Sequence, residues 1–416
     1  MSTAEVAEHA GVEVSLWKQF YFTWGGQAVS KFAGPFQMIA LAMWALNSGH
    51  GAIGVSVITS SGLLGTLTGT VFGGAIADRY GASKTIFGCD LARFFLSGAI
   101  ALLVLLQAGY SYPAIVCISF CSSIISGVFS PALRSLTPEL LTERDYEKGN
   151  SVFGAITSSS QLFGALLGGI AVALLGAAAA IAINSASFLL GALASASVLA
   201  TARKTTKSQL PDLQKRAGLL ASTMAGLRYA LATPWLLALL CVDSVTDLVT
   251  AGQLYVGLPL LAQQSGGSLF MGILLSGYGA GAVIGSVASA YLKNEFLRSV
   301  RAVLWLNIIQ APFLTILPFV PFAGAVASLA AGGILNAAAM TYYISVVQRA
   351  APKDMQSRVM SLLMTGGLLL QPVGTVLLGA LADAGFLRGT FLGGGIIMIL
   401  TAAIALNIKA VRQLGD

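Results

Sequence analysis

Apolar residues fill long runs of this chain, and polar residues gather in the short gaps between them. A window of about twenty residues, the length of helix that crosses a bilayer, finds such runs starting near Gln19, Ile53, Thr85, Pro113, Asn150, Ala178, Trp235, Leu269, Ala302, Phe322, Val359 and Gly389. The pattern predicts an all-α membrane protein of twelve transmembrane helices, because lipid offers no hydrogen-bond partners and each span must satisfy its own backbone. Within a run the apolar positions go all the way round, so periodicity does not say which face looks inward.

One long polar stretch interrupts the pattern, from Thr201 to about Leu220; it is basic (Arg203, Lys204, Lys207, Lys215, Arg216) and holds Pro211. It divides the chain into two pseudo-symmetric six-helix bundles. The predicted organisation is a cytoplasmic tail over 1–18, a first bundle over 19–200, a cytoplasmic linker with an interfacial helix over 201–234, a second bundle over 235–409 and a tail over 410–416. The halves echo each other. Gln161-x-x-Gly164 in span five matches Gln371-x-x-Gly374 in span eleven, and span one laid on span seven sets Gln27 on Asp243, Lys31 on Asp247 and Gln37 on Gln253. Gly285 and Ser289 read as a worn copy of Gly74 and Asp78. Such internal repeats are a habit of secondary transporters.

Charge sets the topology. Only 9% of the 416 residues are charged and 56% are apolar, against roughly 25% charged in soluble domains. With a cytoplasmic N-terminus, Lys31 and Arg93 lie inside spans and Arg388 falls on an outward loop, while every other lysine and arginine falls on an inward loop or tail. That bias places both termini in the cytoplasm. The net charge of +7 then reflects topology and contact with an anionic leaflet and gives no reason to expect nucleic acid as a partner. The first eighteen residues carry Glu5, Glu8 and Glu13 and lack the features of a signal peptide.

Candidate chemistry is sparse. Cys89, Cys117, Cys121 and Cys241 fall within spans and read as small apolar residues, not as a disulfide framework. His9 and His50 lie outside the spans with no metal partner in reach, and there is no phosphate-cradling G-x-x-x-x-G-K-[ST] loop and no plausible Ser-His-Asp set. No metal, no cofactor and no enzyme activity are expected. An intramembrane enzyme built on Asp243 and Asp247 is a remote alternative that lacks any second motif.

The run Gly74-Ala-Ile-Ala-Asp78-Arg79-Tyr-Gly81-Ala-Ser-Lys84, set between two spans, resembles the loop between spans two and three of the major facilitator superfamily, whose fold of about twelve helices in two bundles is thereby implied. Phe20 to Ser30, Cys89-Asp90-Leu91-Ala92-Arg93, Ser130-Pro131-Ala132-Leu133 with Thr137-Pro138-Glu139 and Asn150, and Ser357-Arg358-Val359-Met360-Ser361 are similar to the drug and siderophore exporters of that superfamily, the macrolide-efflux type above all. There are departures. Ala165 stands where the antiporter stretch of span five carries proline, Ser160 and Ser151 replace glycines, and Ser122 stands where related exporters carry an intramembrane arginine. The remaining small residues Gly164, Gly168 and Gly169, with Gly374 in span eleven, suit close helix packing with or without the motif.

A charge at mid-span costs about 2.5–3.5 kcal/mol on insertion scales, which makes it a functional candidate. Asp90 and Arg93, near the cytoplasmic end of span three, are expected to pair and, with Asp78, Arg79, Arg134 and Arg358, to form an inner gate at which Asp78 meets the N-terminus of span eleven. Lys31, Asp243 and Asp247 fall near the midplane, the two acids on one face of span seven by their i, i+4 spacing. They form either a neutralising ion pair or a proton-coupling site. Trp24, Gln27, Gln37, Gln253, Tyr255, Tyr278, Asn307, Asn336 and Tyr342, with Gln310 and Tyr343, are candidates to line a substrate cavity, each also readable as a helix-packing hydrogen bonder. Trp17 and Trp235 read as interface anchors.

Together these features lead to an expectation of a monomeric, multi-pass protein of the bacterial inner membrane, exporting an amphiphilic small molecule (a macrolide-like or other antibiotic, or a siderophore) by proton antiport. A uniporter or proton-coupled importer of a small metabolite on the same fold is the alternative.

Overall fold

The computed structural model describes residues 3–107, 109, 111–140, 146–202, 228–292, 299–352 and 355–413; side chains are described from Tyr21 on, except at 136–140, 146–148, 150, 151, 153, 197–202, 290, 357, 358, 361, 364, 365 and 413. The predicted tail over 1–18 therefore has no described side chains, and most of the linker over 201–234 and the end of the C-terminal tail lie outside the described residues.

Every regular element among the described residues is helical. The long ones, in order, are α1 (Thr3–Asn47), α2 (Gly51–Tyr80), α3 (Ala82–Leu106), α4 (Ser111–Leu140), α5 (146–175), α6 (Ala177–Ala202), α7 (Pro234–Ser265), α8 (Ser268–Tyr291), α9 (Val300–Thr315), α10 (Phe322–Ala350), α11 (Gln356–Leu381) and α12 (Leu387–Asn407). Eleven stretches are long and apolar enough to cross a membrane; the last of them, Gly366–Asn407, runs 42 residues, about twice what one crossing needs. It reverses at the turn Ala382–Phe386, where Gly385 has a φ of 87°. α11 and α12 are thus separate passes, and the protein is a multi-pass membrane protein with twelve long helices among the described residues. Side chains such as Phe95, Leu105, Leu174 and Ile404 are exposed, as lipid-facing positions should be.

Two compact units result: Met1–Ala40 with Leu64–Pro211, and Leu41–Leu63 with Asp212–Asp416. The opening turns of α2 thus pack with the helices of the second half, and the rest of α2 with those of the first.

Within the first unit, glycines set the helix spacing. A Cβ on Gly65, Gly69 or Gly73 of α2 would stand 2.5 Å from the Phe120 carbonyl, 1.9 Å from that of Ile124 and 2.8 Å from the Val128 Cα, all on α4. The second unit repeats the contact one for one: a Cβ on Gly277, Gly281 or Gly285 of α8 would stand 3.2, 1.9 or 2.2 Å from the carbonyls of Val326, Ala330 and Ile334 on α10. Gly285 therefore corresponds to Gly73, which corrects the sequence match to Gly74 by one residue. The reason is steric, since only the glycines that touch a backbone are held in register.

A second repeated contact joins α5 to α1 and α11 to α7. A Cβ on Gly164 would lie 2.8 Å from the Phe32 carbonyl, and one on Gly374 1.9 Å from the Leu248 carbonyl. A Cβ on Gly168 would lie 3.1 Å from the Phe36 amide nitrogen, and Gly169 is buried. Pro35 explains a detail here. A proline inside a helix leaves the carbonyl four residues back without its donor, and in lipid that group needs another. The Ser160 hydroxyl, in the π-helical turn Ser160–Gly164 of α5, donates to the Lys31 carbonyl at 2.8 Å.

Apolar packing completes each unit: Trp24, Ile86, Cys89, Phe129 and Leu133 in the first, Trp235, Leu236, Val303, Val347 and Leu363 in the second. Trp235 is thereby corrected from an interface anchor to a core residue. Its place at the first turn of α7 turns its ring into the bundle.

Candidate functional site

The second unit holds an acidic pocket on α7. Asp243 and Asp247 are one turn apart, so their side chains leave the same face, and between 234 and 265 the chain has no lysine or arginine to neutralise them. They meet α11 at Gly367, where a Cβ would fall 2.0 Å from Asp247 Oδ2 and 3.7 Å from Asp243 Oδ2. Only the absence of a side chain there gives the two carboxylates their room. One turn on, Gln371 Nε2 donates to Asp247 Oδ2 at 3.3 Å. On the α9 side, Thr246 Oγ1 donates to Asn307 Oδ1 at 3.1 Å, and Asn307 Nδ2 is tied to the Val303 carbonyl at 2.9 Å.

A cavity of about 80 Å³ opens beside the acids, lined among others by Asp243, Thr246, Asp247, Asn307, Asn336 and Tyr343. Tyr343 is buried, its hydroxyl has no hydrogen-bond partner among the described residues, and it lies within electrostatic range of both carboxylates. Tyr255 and Tyr278 stand within range of Asp247. Two half-buried acids, an unengaged phenol and fixed amides can bind a proton or a cationic group and can exchange one for the other.

The first unit carries a different centre. Asp90 is fully buried and forms an ion pair with Arg93 one turn along α3, while Gln27 Nε2 of α1 donates to Asp90 Oδ2 at 2.7 Å. The Arg93 guanidinium lies between the rings of Phe129 and Phe188, 3.8 and 4.5 Å from their centroids, a stacking that suits a delocalised cation. Gln37 accepts from Ser97 Oγ at 2.7 Å and from Asn184 Nδ2 at 2.9 Å. Lys31 is half-buried, within electrostatic range of Arg93 and Arg134. Thus cations dominate the first unit's polar centre and carboxylates the second's.

The other expected residues fall as follows. Trp24 is buried in the first unit's core. Among the described residues, Gln253 and Gln310 are fully buried with no partner for either amide atom, and Tyr342 is buried in the second unit's core with its hydroxyl unpartnered. Asp78 and Arg79 are exposed at the end of α2, with Arg79 over the Tyr80 ring at 5.4 Å, and Arg134 is exposed on α4. The Arg358 side chain lies outside the described residues. Sequence reasoning missed the roles of Gly367, Thr246, Ser97 and Asn184. Gly367 is one of two adjacent glycines in an apolar run, and nothing local separates it from its neighbour.

Comparison with known proteins agrees with this architecture. The family described as transmembrane secretion effector, within the major facilitator superfamily, matches residues 16–414. The multidrug efflux pump Tap of Mycolicibacterium fortuitum is 25% identical over 387 residues, covering 91% of this chain and 92% of that protein. Macrolide efflux protein A of Streptococcus pyogenes is 29% identical over 136 residues, 32% of this chain and 33% of that one. Among solved structures, a peptide transporter POT (E310Q mutant) in complex with alafosfalin superimposes with a TM-score of 0.74 at 13% identity, covering 96% of each chain.

Proposed function

Because the chain belongs to the transmembrane secretion effector family of the major facilitator superfamily, we propose that it is a secondary exporter of the bacterial inner membrane, that its substrate is an amphiphilic drug-like molecule, and that proton antiport drives it. The efflux pumps it resembles support the direction of transport and the drug-like substrate. The observation that carries the coupling is the acidic pair: two carboxylates held against Gly367 beside a cavity with an unpartnered tyrosine hydroxyl.

Asp247 is the proposed coupling group with Asp243 beside it, and Lys31 is proposed to serve coupling from the first unit's own polar centre. Ionised, the carboxylate accepts a hydrogen bond from Gln371 and attracts a cationic group on the substrate. When a proton arrives from the outside it occupies the same oxygen, the attraction is lost and the substrate leaves. The proton is given up to the cytoplasm in the opposite state. Exchange follows because one site cannot hold both, and alternating access exposes it to one side at a time. Asn307, Asn336, Tyr255, Tyr278 and Tyr343 are the proposed lining for the substrate on this side. Asp78, Arg79, Arg134 and Arg358 are proposed to act at the cytoplasmic gate, with Asp90 and Arg93 holding the first bundle rigid.

The test is drug uptake into everted membrane vesicles against an imposed pH gradient. Wild type accumulates drug with the gradient, and Asp247→Asn does not, though it still exchanges labelled for unlabelled drug without one. A wild-type response to pH in Asp247→Asn would remove Asp247 from the coupling role.

A further inference from the structure

At the end of α2 remote from the Gly74–Lys84 loop, an exposed aspartate in the α11–α12 turn closes on the helix start. Asp383 Oδ1 accepts from the Ala52 amide at 2.8 Å and Oδ2 from the Ile53 amide at 2.9 Å. Both amides are among the donors a helix N-terminus leaves unsatisfied, and that end carries a partial positive charge. Gly51 makes the approach possible: its φ is +63°, and a Cβ there would lie 2.8 Å from the carboxylate.

The contact continues inward as a seam. One turn along each helix, Gly379 faces Ser56 so closely that a Cβ would stand 2.5 Å from the serine oxygen and 3.0 Å from the Ala52 carbonyl. One turn further, Ser60 Oγ shares a hydrogen bond with Thr375 Oγ1 at 2.7 Å and donates to the Pro372 carbonyl at 3.2 Å. Beside it, Gln263 Nε2 at the end of α7 donates to Asn47 Oδ1 at the end of α1, 3.2 Å away. Residues 375, 379 and 383 thus meet residues 60, 56 and 52–53 rung by rung.

α2 is one unbroken helix shared by two compact units. Its first turns belong to the same unit as α11 and are fastened there by this seam. We propose that Asp383 is a latch, a positioning residue that holds this end of the transporter shut, and that transport requires its two hydrogen bonds to release. The interaction is polar and partly exposed, so water can take over the amides when it opens, whereas an apolar seam would resist parting. In the orientation proposed above it is the outer end. It opposes the gate proposed for Asp78 at the other end of the same helix, so that one helix would be held alternately at its start and at its finish.

A cysteine placed at Ser56, fully buried beneath the latch, reports opening. In purified full-length protein it should react slowly with a hydrophilic maleimide, counted by mass above the native cysteines, of which buried Cys89 serves as the internal control for folding. Asp383→Asn sets an amide NH₂ against one of the two backbone donors and should speed labelling by about tenfold, the loss of one charge-assisted hydrogen bond. Asp383→Glu should restore slow labelling. Gly51→Ala, which leaves every charge in place and pushes the carboxylate away, should speed it as well and decides the matter if Asp383→Asn does not fold. Cys89 should stay unreactive throughout. Unchanged labelling of the reporter in both Asp383→Asn and Gly51→Ala would overturn the latch, as would equal gains at the reporter and at Cys89.

Discussion

Replacing Gly367 by alanine adds one methyl at the point where α11 faces both acids. The new carbon would sit 2.0 Å from Asp247 Oδ2 and 3.1 Å from its Cγ, whereas ordinary contact begins beyond 3.4 Å. The atom it meets is the tip of a rotatable side chain, so the helices need not separate; Asp247 turns away instead. An off-rotamer carboxylate costs about 0.5–1.5 kcal/mol. Losing the 3.3 Å bond from Gln371 costs about as much again, near 1 kcal/mol. Together, about 1–3 kcal/mol corresponds to roughly 5- to 150-fold in a rate or binding constant. Proton-driven drug uptake into everted vesicles should fall by about that factor at unchanged expression. The neighbouring position supplies the control. A Cβ on Gly366 meets only Leu240 Cδ2 and Ser244 Oγ, each at 3.8 Å, so Gly366→Ala should transport like wild type. Equal transport by the two variants would refute the placement of the acids.

Asp243→Asn should weaken preference for cationic drugs more than it weakens coupling, seen as a loss of discrimination between cationic and neutral drugs at a retained pH response. Gly374→Ala drives a methyl into the Leu248 backbone at 1.9 Å, which no rotamer relieves, so melting in detergent should drop by about 1–3 kcal/mol or more; Ser160→Ala, which removes one hydroxyl, should cost less. Arg93→Met strands the fully buried Asp90 and should destabilise by about 3–5 kcal/mol, while pairing it with Asp90→Leu should recover most of that loss, as thermal melting of the single and double variants will show. Tyr343→Phe removes a hydroxyl that has no partner; stability should hold, and a rise in the apparent KM for drug would mark contact with substrate.

The fold was legible in the sequence because a bilayer leaves a segment of about twenty apolar residues few options. The spans expected near Trp235, Leu269, Ala302 and Phe322 begin at Pro234, Ser268, Val300 and Phe322. The acids of the candidate site were legible too, since a mid-span charge stands out against its surroundings. Their environment was not. Tyr342 and Tyr343 are adjacent in one helix and both pack in the second unit's core, and only the structure shows that Tyr343 also lines the cavity. Nothing local in the sequence singles out Asp383, because its partners lie 331 and 330 residues away. Gly65, Gly69 and Gly73 passed unremarked for a similar reason: in a chain with 48 glycines, spacing alone does not reveal which ones touch a backbone.

The two buried charge centres also differ in how each can enter the membrane. Asp90 and Arg93 sit on one helix at i, i+3, so α3 can neutralise itself as it leaves the ribosome and cross as a self-contained segment. α7 has no such means, with two acids and no lysine or arginine between 234 and 265. At about 2.5–3.5 kcal/mol for each charge, it must enter with its carboxylates protonated or wait for the amide of Gln371 and the gap at Gly367, more than a hundred residues downstream in synthesis. The acids proposed to serve exchange thus make α7 a span ill suited to insert alone, and would tie its biogenesis to the arrival of α11.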